Sequence, residues 1–171
     1  MDLGDFSLER RTQVERMLLA VEAVPSAGLV INAGARLAQR LQAEVLVLSI
    51  RERASTRGLA WDVRPAGELA EVVSHAIYEL QRLGIKARGV VGKARVGRVA
   101  DEIVNAALNY RVDEILIGSS GRPPVGSLLS SSIGPRVLRL SPVPVIAVPT
   151  HEKTSRAPFG QRSHRPVQPA A

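Results

Sequence analysis

The chain has 171 residues, a formal net charge of +7 and no cysteine. Its length suits one domain with tails, and the missing cysteines exclude disulfides, thiolate nucleophiles and cysteine-based metal sites, which points to a cytoplasmic home. Apolar residues make up 45% of the chain but aromatics only 3%, so the core must be built from Val, Leu, Ile and Ala, as in a parallel sheet covered by helices.

The charge invites a nucleic-acid reading, but residues 151–171 alone supply a net +3 through Lys153, Arg156, Arg162 and Arg165 against Glu152. No dense basic block stands elsewhere, and aromatics for stacking bases are almost absent, so nucleic acid is not an expected partner. No apolar run is long enough to span a bilayer. The opening residues, with Asp2, Asp5, Glu9 and Glu15, lack the apolar centre of a signal peptide. His75, His151 and His164 share no metal-ligand spacing, and no metal is expected.

Residues 1–15 read as an N-terminal extension. Met17 to Val21 is a compact apolar run suited to a central strand, and Glu22-Ala23-Val24-Pro25-Ser26 is a turn, with Ser26 a candidate helix cap. Val30, Ile31, Gly34, Leu37, Ala38 and Leu41 recur at helical spacing, and Ala43 to Ile50 is a second apolar strand. Residues 51–65 read as a less regular loop that holds the sole Trp, with Arg51, Arg53 and Arg57 in solvent. Glu68 to Leu83 returns to helical period, and Gly84 stands where a helix C-terminus favours glycine. Ile85 to Val91 is a more polar strand, nearer an edge, followed by a turn over Gly92 to Val96.

Val99, Ala100, Ile103, Val104, Ala107 and Leu108 mark a third helix, with Asp101 and Glu102 on its solvated face. Asp113 to Ile117 is a buried strand, Arg136 to Leu140 a short helix, and Pro142 to Pro149 a last strand flanked by prolines that suit an edge. After Thr150 the chain turns to polar residues, Pro and Arg, and residues 151–171 read as a disordered basic tail. Strict alternation of strand and helix over residues 16–150 predicts an α/β domain: a doubly wound, Rossmann-like parallel sheet of five strands with helices on both faces. Ligands of such folds sit beyond the carboxyl ends of the strands, where the strand order reverses.

The stretch from Gly118 to Ile133 follows the fourth strand and precedes the fourth helix, and it is rich in Gly and Ser. Small residues let the backbone approach an anion, and a helix N-terminus carries partial positive charge. Its pattern, Gly118-x2-Gly121, a nine-residue spacer from Arg122, then Ser131-Ser132, resembles the nucleotide-binding motif of the universal stress protein family. That family places Gly where Ser131 stands and usually Asp where Glu22 stands. The segments Ala100-Asp101-Glu102-Ile103, Val112 to Gly118 and Pro142 to Val148 are similar to the family's third helix, fourth strand and closing strand.

The resemblance covers about residues 15–150. It implies an adenine nucleotide alpha-hydrolase-like fold and an ATP or AMP site, with or without Mg. Adenine and ribose would lie near Ala20, Val21, Glu22 and Ile50, and the phosphates near Gly118, Gly121, Arg122, Ser131, Ser132 and Ile133. It also implies a homodimer, for which the apolar edge over residues 143–149 offers a surface. No Gly-x-Ser-x-Gly elbow, Gly-Lys-Ser/Thr phosphate loop or nucleophile–base pair is visible, so the expected protein is a non-catalytic stress or regulatory protein. The alternative is a nucleotide-free dimerising interaction module of the same fold. An alpha-hydrolase enzyme is disfavoured, because Glu22-Ala23-Val24-Pro25 replaces that superfamily's signature after the first strand.

Overall fold

The computed structural model describes residues 15–119 and 133–150, so the predicted tail over 151–171 and all but the end of the predicted extension lie outside the described residues. The elements in order are β1 (Arg16–Ala20), α1 (Ala27–Leu41), β2 (Glu44–Thr56), β3 (Leu59–Asp62), α2 (Ala66–Arg82), β4 (Ala87–Arg95), α3 (Val99–Asn109), β5 (Glu114–Ser119), α4 (Ile133–Leu140) and β6 (Val145–Pro149). Five strands run parallel in the order β4-β2-β1-β5-β6, with β1 at the centre. The strand order reverses between β1 and β5, which makes the gap beyond their carboxyl ends the switch point.

Period 2 in the strands sorts the core into two layers. Met17, Leu19, Val45, Val47 and Leu116 meet α1 and α2 on one face, through Val30, Ile31, Ala38, Val73, Ala76 and Leu80. Leu18, Leu46, Leu48, Ile115 and Ile117 meet α3 and α4 on the other, through Ile103, Val104, Ala107 and Val137. Close approach of α1 to β1 depends on Gly34, where an added methyl would lie 2.9 Å from Leu19 Cδ1. Asp113 fastens the start of the central strands, its carboxylate accepting the N–H groups of Glu15 and Arg16 at 3.0 Å each.

Residues 51–65 overturn the expectation of an irregular loop. β2 runs on to Thr56, turns through Arg57 and Gly58 with φ of 44° and 86°, and returns as the antiparallel β3. Both central turn residues are left-handed, as a tight two-residue hairpin requires. The sheet therefore has six strands and is mixed rather than five-stranded and wholly parallel. β4 likewise extends through the predicted turn at Gly92 to Val96 and pairs with β2 as far as Arg95. The long hairpin arm gives it backbone to pair with. Gly84 does follow α2 with a φ of 75°, and Ser26 stands at the start of α1 without a side-chain cap bond.

Each parallel edge strand has one bonded neighbour: β4 pairs with β2, and β6 with β5. The β4 strand and the residue before it carry Lys86, Arg88, Lys93 and Arg95, while β6 reads Val-Ile-Ala-Val-Pro without a charge.

Candidate functional site

Residues at the end of β1 meet the predictions as follows. Ala20 closes β1 in register with Leu48 of β2 and Ile117 of β5. Val21 is buried, and its N–H donates to the Leu48 carbonyl at 2.9 Å. Glu22 is exposed, at the start of the turn into α1. Gly118 lies within β5 opposite Val148, not in a turn after the strand, and a methyl there would meet Thr150 Cγ2 at 3.0 Å and Val30 Cγ2 at 3.1 Å. Its lack of a side chain is thus used first for packing. Ala20, Ile50 and Ile133 all pack against the α3/α4 layer. Six predicted residues therefore share one rim, and Gly121, Arg122, Ser131 and Ser132 lie outside the described residues.

The backbone of β2 carries the geometry that the sequence does not reveal. Leu48 C=O bonds to Val21 of β1, and Glu52 C=O bonds to Val63 just past β3 at 2.9 Å. Alternation along a strand puts the N–H and C=O of Ile50, midway between, on that same edge. β1 and β3 therefore occupy one edge of β2 in succession, with Ile50 in the gap between them. The chain after Val21 turns away at Glu22 to Pro25, and the residue facing Ile50 in the antiparallel register is Pro65, which has no N–H to give. Among the described residues neither backbone group of Ile50 finds a backbone partner there. The result is a donor and an acceptor side by side, at the carboxyl end of the central strand. On the other edge Gly92 leaves room for the Ile50 side chain, since a methyl there would lie 2.7 Å from Ile50 Cδ1.

Among the arginines expected in solvent, Arg53 and Arg57 are exposed and Arg51 is half-buried. Arg51 and Arg53 are paired with Asp62 of β3, at 3.7 Å and 3.5 Å, and Arg64 Nη1 donates to the Ala23 carbonyl at 3.1 Å. Glu52 Oε1 accepts the N–H of Gly97 at 3.1 Å, tying the hairpin arm to the turn before α3. Asp101 is half-buried rather than solvated. It meets Arg136 Nη2 at 2.8 Å, and Arg136 Nη1 donates to Gly97 C=O at 2.9 Å, so α4 is held to α3 directly behind the rim. A hollow of about 400 Å³ opens between the β1–α1 turn and α2, lined by Ala23, Val24, Pro25, Glu68, Val72 and His75 among others.

Among the described residues no group of three or more His, Cys, Asp or Glu is placed to hold a metal ion, and no helix is long and apolar enough to cross a membrane.

Three solved structures illustrate the likeness of the fold. A universal stress family protein from Burkholderia pseudomallei shares 19% identity at a TM-score of 0.64, over 81% of this chain and 98% of that one. A universal stress protein solved in complex with cAMP shares 17% identity at 0.61, over 82% and 100%. The Archaeoglobus fulgidus universal stress protein in complex with dAMP shares 19% at 0.57, over 79% and 97%. No curated protein matches the chain in sequence. At these identities the structures speak to the fold alone. The model of the universal stress protein family, however, matches residues 13–149, most of the chain: the chain belongs to the universal stress protein family.

Proposed function

We propose that this protein binds an adenine nucleotide, ATP or AMP, across the rim between β1 and β5, and acts as a regulatory rather than a catalytic protein. The observation that carries the reading is the open pair at Ile50. Adenine presents an amino donor at N6 beside an acceptor at N1, which complements a backbone C=O beside an N–H. A purine set there would continue the hydrogen bonding of β2 where β1 stops and β3 has not begun. The cAMP and dAMP carried by the two relatives support the choice of base.

Titration calorimetry with AMP and ATP is expected to give dissociation constants between micromolar and sub-millimolar, while GMP gives none, because guanine reverses the pattern with O6 and N1–H. No heat at millimolar AMP or ATP would overturn the reading. Recovery of binding in Ser131→Gly would then trace the loss to the serine that stands where the family has glycine.

A second element of the reading is a homodimer through residues 143–149. It is favoured by β6, whose outer edge lies uncovered and uncharged among the described residues. Light scattering is expected to return twice the chain mass. A monomer mass at high concentration would contradict it.

A further inference from the structure

We infer that the β2–β3 hairpin carries its own phosphate-holding cluster, made of Arg51 and Arg53 around Asp62, with Arg64 just beyond it at the Ala23 carbonyl. Period 2 continues Val45, Val47 and Ser49 into Arg51 and Arg53, so both arginines leave the sheet on the α1/α2 face. In the antiparallel register Arg53 faces Asp62, and Arg51 stands two residues before it on the same face of β2. Two guanidinium groups thus flank one carboxylate, with the exposed Arg64 two residues further along the chain. Asp62 sits 3.7 Å from Arg51 Nη1 and 3.5 Å from Arg53 Nε, too far for close charge-assisted bonds, and both pairs reach solvent. The cluster keeps an excess of positive charge that this carboxylate only partly offsets.

A second observation points the same way. Arg51 Nε is buried and has no hydrogen-bond partner among the described residues. A donor sequestered from water without an acceptor is costly, and the forked guanidinium geometry suits a tetrahedral oxyanion with several acceptor oxygens. Asp62 is then a loose internal substitute that a phosphate displaces. Arg64 is anchored to the Ala23 carbonyl, which sets the cluster directly above the turn that leaves β1. It faces α1 and α2, whereas β5 leads towards α4 on the other face. The anion site itself stands apart from the nucleotide reading. It rests on that reading only in assigning the phosphate to an adenosine ligand.

The test uses the full chain, with the fluorescence of Trp61, next to Asp62 and the sole tryptophan, as reporter alongside calorimetry. Inorganic phosphate, adenosine, AMP and adenosine 3′,5′-bisphosphate are titrated into the wild type, Arg51→Gln and Asp62→Asn. Phosphate is expected to bind at least about tenfold more weakly to Arg51→Gln, as loss of a charge-assisted contact implies. It is expected to bind several-fold more tightly to Asp62→Asn, a gain that no folding defect imitates, and to weaken with added salt. Equal phosphate affinity in all three proteins overturns the inference, as does silence towards millimolar phosphate in Asp62→Asn. Adenosine and AMP serve the other arm: if neither binds while phosphate responds, the nucleotide reading falls and the cluster stands. Bisphosphate binding tighter than AMP in the wild type, with the difference lost in Arg51→Gln, identifies the phosphate as part of the nucleotide. Equal binding of the two limits the cluster to free phosphate.

Discussion

The body of the sheet and its carboxyl-end rim are made from the same strands but built to opposite standards. In the body, Met17, Leu18, Leu19, Val47 and Ile115 have no exposed surface at all, and every central strand is bonded on both sides. Three residues further along, the ladder is interrupted at Ile50, cations share one distant carboxylate, and a buried guanidinium nitrogen goes unpaired. The contrast teaches where stability and function are kept. Unsatisfied groups are tolerated at the rim because the layers below are almost wholly apolar, with Ser49 and Glu114 the buried polar residues among those described.

Substitutions can sharpen that division or break it. Leu19→Ala, wholly within the body, is expected to lose about 2–5 kcal/mol in urea denaturation. Its ligand affinities should remain unchanged at temperatures where the variant is folded. A nucleotide defect in the folded variant would show that body and rim are coupled. Gly92→Ala sits on the border. Its methyl would press on Ile50 Cδ1 at 2.7 Å, and overpacking of this kind costs about 1–3 kcal/mol. Here both stability and adenine-nucleotide binding should fall, measured by thermal unfolding and calorimetry on the same sample.

The smallest effect concerns Glu114, the one carboxylate buried in the body among the described residues. Burial pushes its carboxyl above the usual range. The native chain therefore takes up this proton more readily than the unfolded one. The group's contribution is most favourable at low pH and is lost as pH rises through the raised value. Glu114→Gln is accordingly expected to melt above the wild type at pH 7, with the gap closing as pH falls towards about 4, the ordinary carboxylate range. A gap that is independent of pH would assign the effect to packing instead.

Apolar runs and helical spacing were enough to read the five parallel strands and the four helices that cover them, because the core residues that they contribute are almost all apolar. The hairpin escaped that reading for a physical reason. Beyond Ile50 the chain leaves the core, so its strand residues are charged, and its turn is Arg57-Gly58 rather than the Asn-Gly or Asp-Gly that marks a tight hairpin. The available signal was the alternation of Leu59, Trp61 and Val63 after a glycine. Ile50 itself was legible through the family resemblance. Why it is open was not, since that depends on Pro65 standing across from it, and register is a property of the pairing rather than of either segment alone. Asp101 was misread as solvated because its partner, Arg136, lies far along the chain.

The two edges of the sheet carry a consequence for growth. A twofold pairing through β6 consumes that strand in both copies, and what remains outermost on either side is β4, lined with lysine and arginine. Such an assembly presents only like-charged margins to any third copy. If the proposed dimer forms, the same pair of edges that would invite it would also terminate it, and the sheet would double in width without becoming the seed of a fibre.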